Sequence, residues 1–473
     1  MSVYGTPCRG VRKNKMTFNR NTFCTMPWSS IMILPSGDFK ICCFTGHKVN
    51  GIETHGVALD DDGKVMNVLT HDIMDAMNSK WHKELRLAQS KGERHEICRV
   101  CWDREDAAKT QGEIPTSLRV VRSYYQNEWG VDNMPNRPGG YPMLGSMVHE
   151  HADKWMQADG SVSTMPISLD MRFSNLCNSK CIMCEPLYSS LWYEDWEQIT
   201  GKDHFDVGAT RYNIIKKTGA SRATYTDDMP NWNDDPRWWA QFDKMAPHLR
   251  HIYITGGEPF VQPVHDVFIK KLIERGYAKD IVLEYDTNLT AINPKILTML
   301  KEFKDIIIRV SLDGIGEQYN LIRYPAKFDR VVQNIELLEQ FGLKDKIVNI
   351  TCCIGIYSIF SPIEHHKFFA PRGYTQFQNR LLIYPDAVNI LYLPRTIKEL
   401  VIIKYQNSGI SGFDAKHVVG YLTNNLDTYT DEECKPKMMA FLNYMNSLDR
   451  VRGTDWTKTF PDVYNLIYNY YNR

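Results

Sequence analysis

The chain has 473 residues, 43% hydrophobic and 24% charged, which excludes a disordered chain or a fibrous repeat as a global description. Fifty-six basic residues balance 56 acidic ones, so bulk charge gives no sign of nucleic-acid or membrane-surface binding. Twelve cysteines are too few and too unevenly placed for a disulfide scaffold at this length. No apolar run approaches the ~18 residues a membrane span needs. The start is basic but lacks an apolar segment and a small-residue cleavage site, so no signal peptide is expected. The expected setting is a reducing cytoplasm, where cysteines serve metal binding or catalysis more often than disulfides.

Residues 1–125 form a first zone, with Cys8, Cys24, Cys42, Cys43, Cys98 and Cys101. Ile31 and Ile33, then PSGD, then Phe39 and Ile41 read as a hairpin with a tight turn at Ser36-Gly37-Asp38. Such a hairpin brings Cys24 and Cys42 together, and strand alternation puts Cys43 on the face opposite Cys42. A helix follows, with Ile73, Met77, Trp81 and Leu85 on one face and a stop near Gly92. ICRVC then places Cys98 and Cys101 at C-x2-C spacing. His47, His55 and His71 lie near these cysteines, and single histidines of this kind read as surface or hydrogen-bonded residues.

Residues 126–165, with NMPNRPGGYPMLG at 133–145, read as a linker. Residues 166–394 alternate β and α patterns. The expected strands are 167–173, 251–255, 281–285, 306–312, 347–354 and 380–384, each short and rich in Ile, Val or Leu. Between them, Val264, Val267, Phe268 and Leu272 mark one helix, ended by Gly276. Asn293-Pro294 caps a second, Val331, Ile335 and Leu338 mark a third, and Ser361 to Glu364 reads as a capping box for a fourth. The fold class expected is α/β: a parallel sheet with right-handed crossovers, too few units for a closed eight-stranded barrel but suited to a partial (β/α)6 barrel. An insertion at about 186–248 carries Trp192, Trp196, Trp232, Trp238 and Trp239, which suit either a small satellite core or a cleft cover. Residues 395–473 read as a helical C-terminal region. Cys352 and Cys353 lie in a buried strand and read as small core residues; Cys8 and Cys434 are isolated.

Cys177, Cys181 and Cys184 form C-x3-C-x2-C directly after the first strand. Their thiolates can converge only if the loop curls around a common object, and soft sulfur selects zinc, copper(I) or iron–sulfur. A zinc knuckle is one reading. Three thiolates without a near fourth point to a [4Fe–4S] cluster with one iron open. With TGGEP (255–259), YDTN (285–288) and SLDG (311–314) at successive strand ends, the region resembles the radical S-adenosylmethionine (radical SAM) enzymes. The resemblance implies that Gly256, Gly257 and Glu258 meet the methionine amino group and that Asn288 and Ser311 lie near the ribose. It also places Arg323 at the methionine carboxylate. Glycines let a backbone approach closely, and a carboxylate pairs with an ammonium.

The first zone resembles the SPASM/twitch modules of that superfamily, through C-x12-G-x4-C, the helix over DIMDAMNSKWHKELR and the following C-x2-C. The one-cluster form is the better match, and the module here precedes the barrel instead of following it. The resemblance implies that Cys24, Cys42, Cys98 and Cys101 hold a second, auxiliary [4Fe–4S] cluster; a four-cysteine zinc site is the alternative, which spacing does not separate. The implied activity is reductive cleavage of S-adenosylmethionine to a 5′-deoxyadenosyl radical that abstracts hydrogen from a substrate, with a peptide or protein side chain favoured by analogy. An electron donor such as flavodoxin or ferredoxin is implied as partner. The rival readings are a non-catalytic zinc-binding interaction protein and an activase that installs a radical on a partner enzyme.

Overall fold

The computed structural model describes residues 18–45, 48–49, 52–53, 56–110, 117–123, 140–207, 210–219, 223–374, 376–410 and 413–471. Cys8, His47 and His55 lie outside them. Strands β1 (Ser30–Ile33) and β2 (Phe39–Lys40) form the expected hairpin, turning through Gly37 at φ 85°. A short antiparallel pair follows, β3 (Lys48–Val49) with β4 (Ile52–Glu53). The expected single helix is two, Ile73–Met77 and Lys80–Ser90, broken at Asn78-Ser79. The break is filled by Arg86, fully buried, whose guanidinium donates to the carbonyls of Pro27 (2.6 Å), Met77 (2.7 Å) and Gly160 (2.7 Å). A buried guanidinium needs such acceptors, and exposing the Met77 carbonyl supplies one.

Part of the expected linker is not a linker. Gly140–Trp155 is a helix, with Leu144, Val148 and Ala152 buried at four-residue spacing. Gly140 and Pro142 fall in the first turn, where a missing N–H breaks no helical bond, so the turn-like composition there was compatible with a helix.

The remaining strands of the main sheet are β5 (Ser168–Met171) and, after the antiparallel insertion sheet β6 (His204–Val207), β7 (Thr210–Thr218) and β8 (Ala223–Asp227), β9 (His251–Ile254), β10 (Val282–Thr287), β11 (Asp305–Ser311), β12 (Ile347–Ile354) and β13 (Phe377–Leu381). Their order is β13-β12-β11-β10-β9-β5-β1-β2. The strands from β5 onward pair in parallel, as the βαβ pattern requires. β1 adds to this sheet in parallel, Ser30 opposite Ser168 and Ile33 opposite Met171, so the N-terminal hairpin extends the barrel wall.

β13 lies three residues before its expected position. The apolar run that marked it continues past the sheet, where Ile383 and Tyr384 are exposed. The helix Pro263–Glu274 buries His265, Phe268, Ile269 and Leu272 and leaves Val267 outside. The capping box at Ser361 does not form, because Phe360 is the cap and Ser361 is already helical.

The two faces of the barrel sheet differ in chemistry. Leu169, Met171, Ile252, Ile254, Leu283, Tyr285, Ile308 and Val310 pack outward, under the helices, in the main core. The alternate residues face inward and are mostly polar, Val282 and Ile307 excepted. There His251 meets Ser168 (3.0 Å) and Glu284 (2.9 Å); Glu284 and Asp286 both pair with Arg309, and Tyr253 donates to Asp286 at 2.6 Å. The barrel lumen is therefore largely polar, with a hydrogen-bonded cluster around His251, Glu284, Asp286 and Arg309.

Trp232 and Trp238 of the insertion belong to the main core, and Trp232 donates to the Pro35 carbonyl at 2.9 Å. Trp192 belongs to a second core, built with the C-terminal helices Arg395–Gln406, Phe413–Asn424, Asp431–Arg452 and Pro461–Tyr471. A small satellite core does exist, around Tyr193, Phe205 and Tyr212. No helix among the described residues is long and apolar enough to cross a membrane.

Candidate functional site

The loop after β5 curls as the cysteine spacing requires. Its backbone is tied from several directions. Lys180 N donates to the Tyr324 carbonyl (2.7 Å), Ile182 N to that of Ile322 (2.9 Å), and Ser189 Oγ to that of Ser179 (2.7 Å). Trp192 Nε1 donates to the Cys181 carbonyl (3.0 Å), and Tyr444 Oη, from the C-terminal helix Asp431–Arg452, to that of Ile182 (2.7 Å). Cys177, Cys181 and Cys184 thereby line one cavity of about 230 Å³ at the strand C-terminal ends. Gly256, Gly257, Glu258, Asn288, Ser311 and Arg323 line the same cavity. Burial, then neighbouring sulfur, pushes the Cys177 thiol up to about 12, and burial raises Cys184 as well. A bound cationic metal centre reverses that cost by stabilising the thiolates.

The glycine pair is steric. Gly256 and Gly257 have φ of 77° and 59°. A Cβ on Gly257 would sit 2.4 Å from the Leu176 carbonyl oxygen, and one on Gly256 would sit 2.8 Å from the Arg172 side chain. The second strand end and the cysteine loop can approach only without those carbons. Gly257→Ala is expected to lower S-adenosylmethionine affinity about tenfold or more, since the loop must move by a full van der Waals contact. Equilibrium binding to reconstituted protein measures this. Gly276→Ala is the control: its φ is also positive, but its Cβ meets nothing within 4 Å. It should cost about 1 kcal/mol of stability and leave affinity unchanged.

Glu258 is buried; Oε1 accepts from Thr287 Oγ1 at 2.5 Å and Oε2 from Asn288 N at 2.8 Å. Burial outweighs these donors and raises its carboxyl to about 7. An ammonium arriving beside it would favour the charged form. Asn288 reaches across to the cysteine loop, donating to Asn178 Oδ1 at 2.9 Å. Ser311 ends β11 with its side chain on the cavity wall. Arg323 is already engaged: Nε lies 2.7 Å from Asp313 Oδ2, and Nη1 3.8 Å from Cys181 Sγ. Arg172, Tyr188 and Asp286 also line the cavity and were not among the residues singled out from sequence. Arg172 and Asp286 had position alone as a signal, at or just beyond a strand end, and Tyr188, beyond the cysteine loop, had none. Cys353 sits on the inward face of β12, its N–H donating to Asp313 at 2.7 Å, while Cys352 and Cys434 are buried.

A second cavity is lined by Cys24, Cys42, Cys98 and Cys101, with Arg119 and Arg122. The segments flanking the hairpin supply the first two thiols and the segment after helix Lys80–Ser90 the other two. Burial pushes Cys24 and Cys101 up to about 11 and Cys42 to about 12. Cys43 lies apart from that lining, against Arg122 Nη2 at 3.9 Å; both Cys42 and Cys43 lie past the end of β2, so a turn and not strand alternation separates them. His71 pairs with Asp60 at 3.6 Å and does not line the cavity. Among the described residues, no three or more His, Cys, Asp or Glu side chains close around a single metal-ion position. The thiols stand around cavities instead. Soft thiol donors, three in one set and four in the other, fit iron–sulfur clusters.

The family model of the radical SAM superfamily matches residues 171–365. The chain carries a radical SAM domain. The model of the SPASM iron–sulfur cluster-binding domain matches residues 24–102 and takes in all four thiols of the second cavity. A radical SAM domain holds a [4Fe–4S] cluster and S-adenosylmethionine, and a SPASM domain holds auxiliary iron–sulfur, which decides against the zinc reading of the N-terminal cysteines. No curated protein matches the chain. Among solved structures, the protein is similar to anSMEcpe with bound AdoMet, at 19% identity over 51% of this chain and 61% of that one, TM-score 0.31. It is also similar to Streptococcus suis SuiB bound to S-adenosylmethionine, at 15% over 76% and 65%, TM-score 0.31. A further similar structure is SuiB bound to precursor peptide SuiA, at 13% over 67% and 69%, TM-score 0.27. The chain spans about three-fifths of the length of the anSMEcpe structures it matches.

Proposed function

We propose that this protein is an enzyme that cleaves S-adenosylmethionine reductively and uses the 5′-deoxyadenosyl radical to take hydrogen from a peptide or protein side chain. One observation carries the reading: the three thiols of the cysteine loop share a single cavity with the GGEP turn and with polar residues from two further strand ends. In this reading Cys177, Cys181 and Cys184 hold the cluster that supplies the cleaving electron. Gly256, Gly257 and Glu258 seat the methionine amino group, Asn288 and Ser311 the ribose, and Arg323 stands at the carboxylate end. Cys24, Cys42, Cys98 and Cys101 hold the auxiliary [4Fe–4S] cluster, whose four thiolates leave no iron open and so favour an electron-carrying role. The chain's own contribution is to orient the cofactor and limit water around it. A flavodoxin or ferredoxin in a reducing cytoplasm is the electron source we assign. The class of the net reaction, oxidoreductase or transferase, depends on the substrate.

Anaerobic reconstitution with iron and sulfide tests the reading. With dithionite and S-adenosylmethionine, 5′-deoxyadenosine should accumulate, and faster when the right peptide is present. Stoichiometric zinc with no 5′-deoxyadenosine overturns it.

A further inference from the structure

Among the described residues lining the cysteine-loop cavity, the cations are Arg172 and Arg323. They differ in how fully they are used. Arg323 has a carboxylate at 2.7 Å and a sulfur at 3.8 Å. Arg172 has Asp170 Oδ1 at 3.6 Å from Nε, an ion pair too long for a hydrogen bond; neither Nε makes a well-aligned hydrogen bond, so the difference lies in how close the carboxylate comes. Asp170 is itself buried and accepts no hydrogen bond, and it lies within electrostatic reach of Arg122 and Lys40 as well. One carboxylate thus answers several cations, and Arg172 is the one that reaches the cavity.

The fold is also built to hold that guanidinium in place. It lies over the Tyr188 ring at 5.4 Å, a cation–π contact that restrains it. The missing side chain of Gly256 leaves room for its stem, since a Cβ there would sit 2.8 Å from Arg172 Cβ and Cγ. A planar, pre-oriented guanidinium with unused donors matches a carboxylate or phosphate in bidentate fashion.

We propose that Arg172 receives an anionic group, a carboxylate or a phosphate, from a ligand entering this cavity. The inference rests on the reading that the cavity takes S-adenosylmethionine. Two sources fit the chemistry: the methionine carboxylate of that cofactor, or an anionic group of the substrate.

The test uses reconstituted holoprotein with iron content and visible absorbance matched across wild type, Arg172→Gln, Arg172→Lys and Arg323→Gln. Formation of 5′-deoxyadenosine by wild type checks the underlying reading separately. Calorimetry then compares affinity for S-adenosylmethionine with that for its decarboxylated analogue, and measures binding of glutarate and of inorganic phosphate to cofactor-loaded protein. If the cofactor is the source, wild type prefers the carboxylated form about tenfold or more, Arg172→Gln abolishes the preference, and Arg172→Lys keeps part of it. If the substrate is the source, the preference survives in Arg172→Gln, but wild type binds glutarate or phosphate and the variant binds it about tenfold more weakly or not at all. The proposal is overturned if Arg172→Gln matches wild type in both measurements, or if only Arg323→Gln changes them.

Discussion

Protein in which Cys177, Cys181 and Cys184 are all alanine is expected to hold about four irons instead of about eight and to form no 5′-deoxyadenosine. The size of the effect follows from the separation of the two thiol sets. The three thiols line the cavity at the mouth of the barrel; the four line another, formed by the segments flanking the hairpin and the segment after helix Lys80–Ser90. The cavities share no lining residue. Losing one set leaves the other's ligands untouched. The loop keeps its shape, because its ties are mainly backbone bonds: Lys180 N to Tyr324, Ile182 N to Ile322, and the Cys181 carbonyl to Trp192. The complementary variant, Cys98→Ala with Cys101→Ala, should also hold about four irons but still cleave S-adenosylmethionine with dithionite, since the open-iron site is intact. Iron assay, electron paramagnetic resonance of the reduced protein and chromatography of the product separate the outcomes. Equal iron loss from both sites in the triple variant would show that the two sets are not independent.

What the sequence made legible was whatever depends on short-range geometry. Three thiols within one loop, a glycine pair at a strand end and the period-two and helical patterns all act over a few residues. The structure brings Cys177, Cys181, Cys184, Gly256, Gly257, Glu258, Asn288, Ser311 and Arg323 into one cavity. What stayed hidden depends on partners far along the chain. Asp170, Glu284 and Arg309 sit inside strands that read as apolar runs, because the apolar residues between them outweigh them. Glu284 and Arg309 meet across neighbouring strands, which becomes visible only with the register, while Asp170 faces Arg172 two residues on. The pairing of β1 with β5 joins residues more than a hundred positions apart, so the first zone read as a separate module. The helix Gly140–Trp155 was masked by composition: a turn-like first turn preceded a four-residue apolar repeat. Arg172 carried no motif, and its meaning comes from Gly256 and Tyr188 beside it.

The role of the C-terminal helices gives the second large effect. Asp195, fully buried, pairs with Lys180 at 2.5 Å and with Arg452 Nε at 2.7 Å. Lys180 stands next to Cys181 in the cysteine loop, and Arg452 ends the long helix Asp431–Arg452, so one carboxylate joins the loop to the C-terminal region. Two cations face one anion there, and Arg452 also lies over Trp192 at 4.9 Å. Replacing Asp195 by alanine leaves both cations buried and unpaired, which is expected to cost about 3–5 kcal/mol. Arg452→Met should cost less, because Lys180 keeps its carboxylate and a buried pair replaced by an apolar side chain of similar volume is often nearly neutral. Chemical denaturation with an unchanged slope and a shifted midpoint measures both. The loss in Asp195→Ala should be larger in the iron-free protein. Arg452 acts electrostatically on Cys181, and thiolates gathered at a cluster supply negative charge that partly replaces the lost carboxylate. Equal losses with and without iron would mean that the pair braces the helix alone and does not sense the cluster loop.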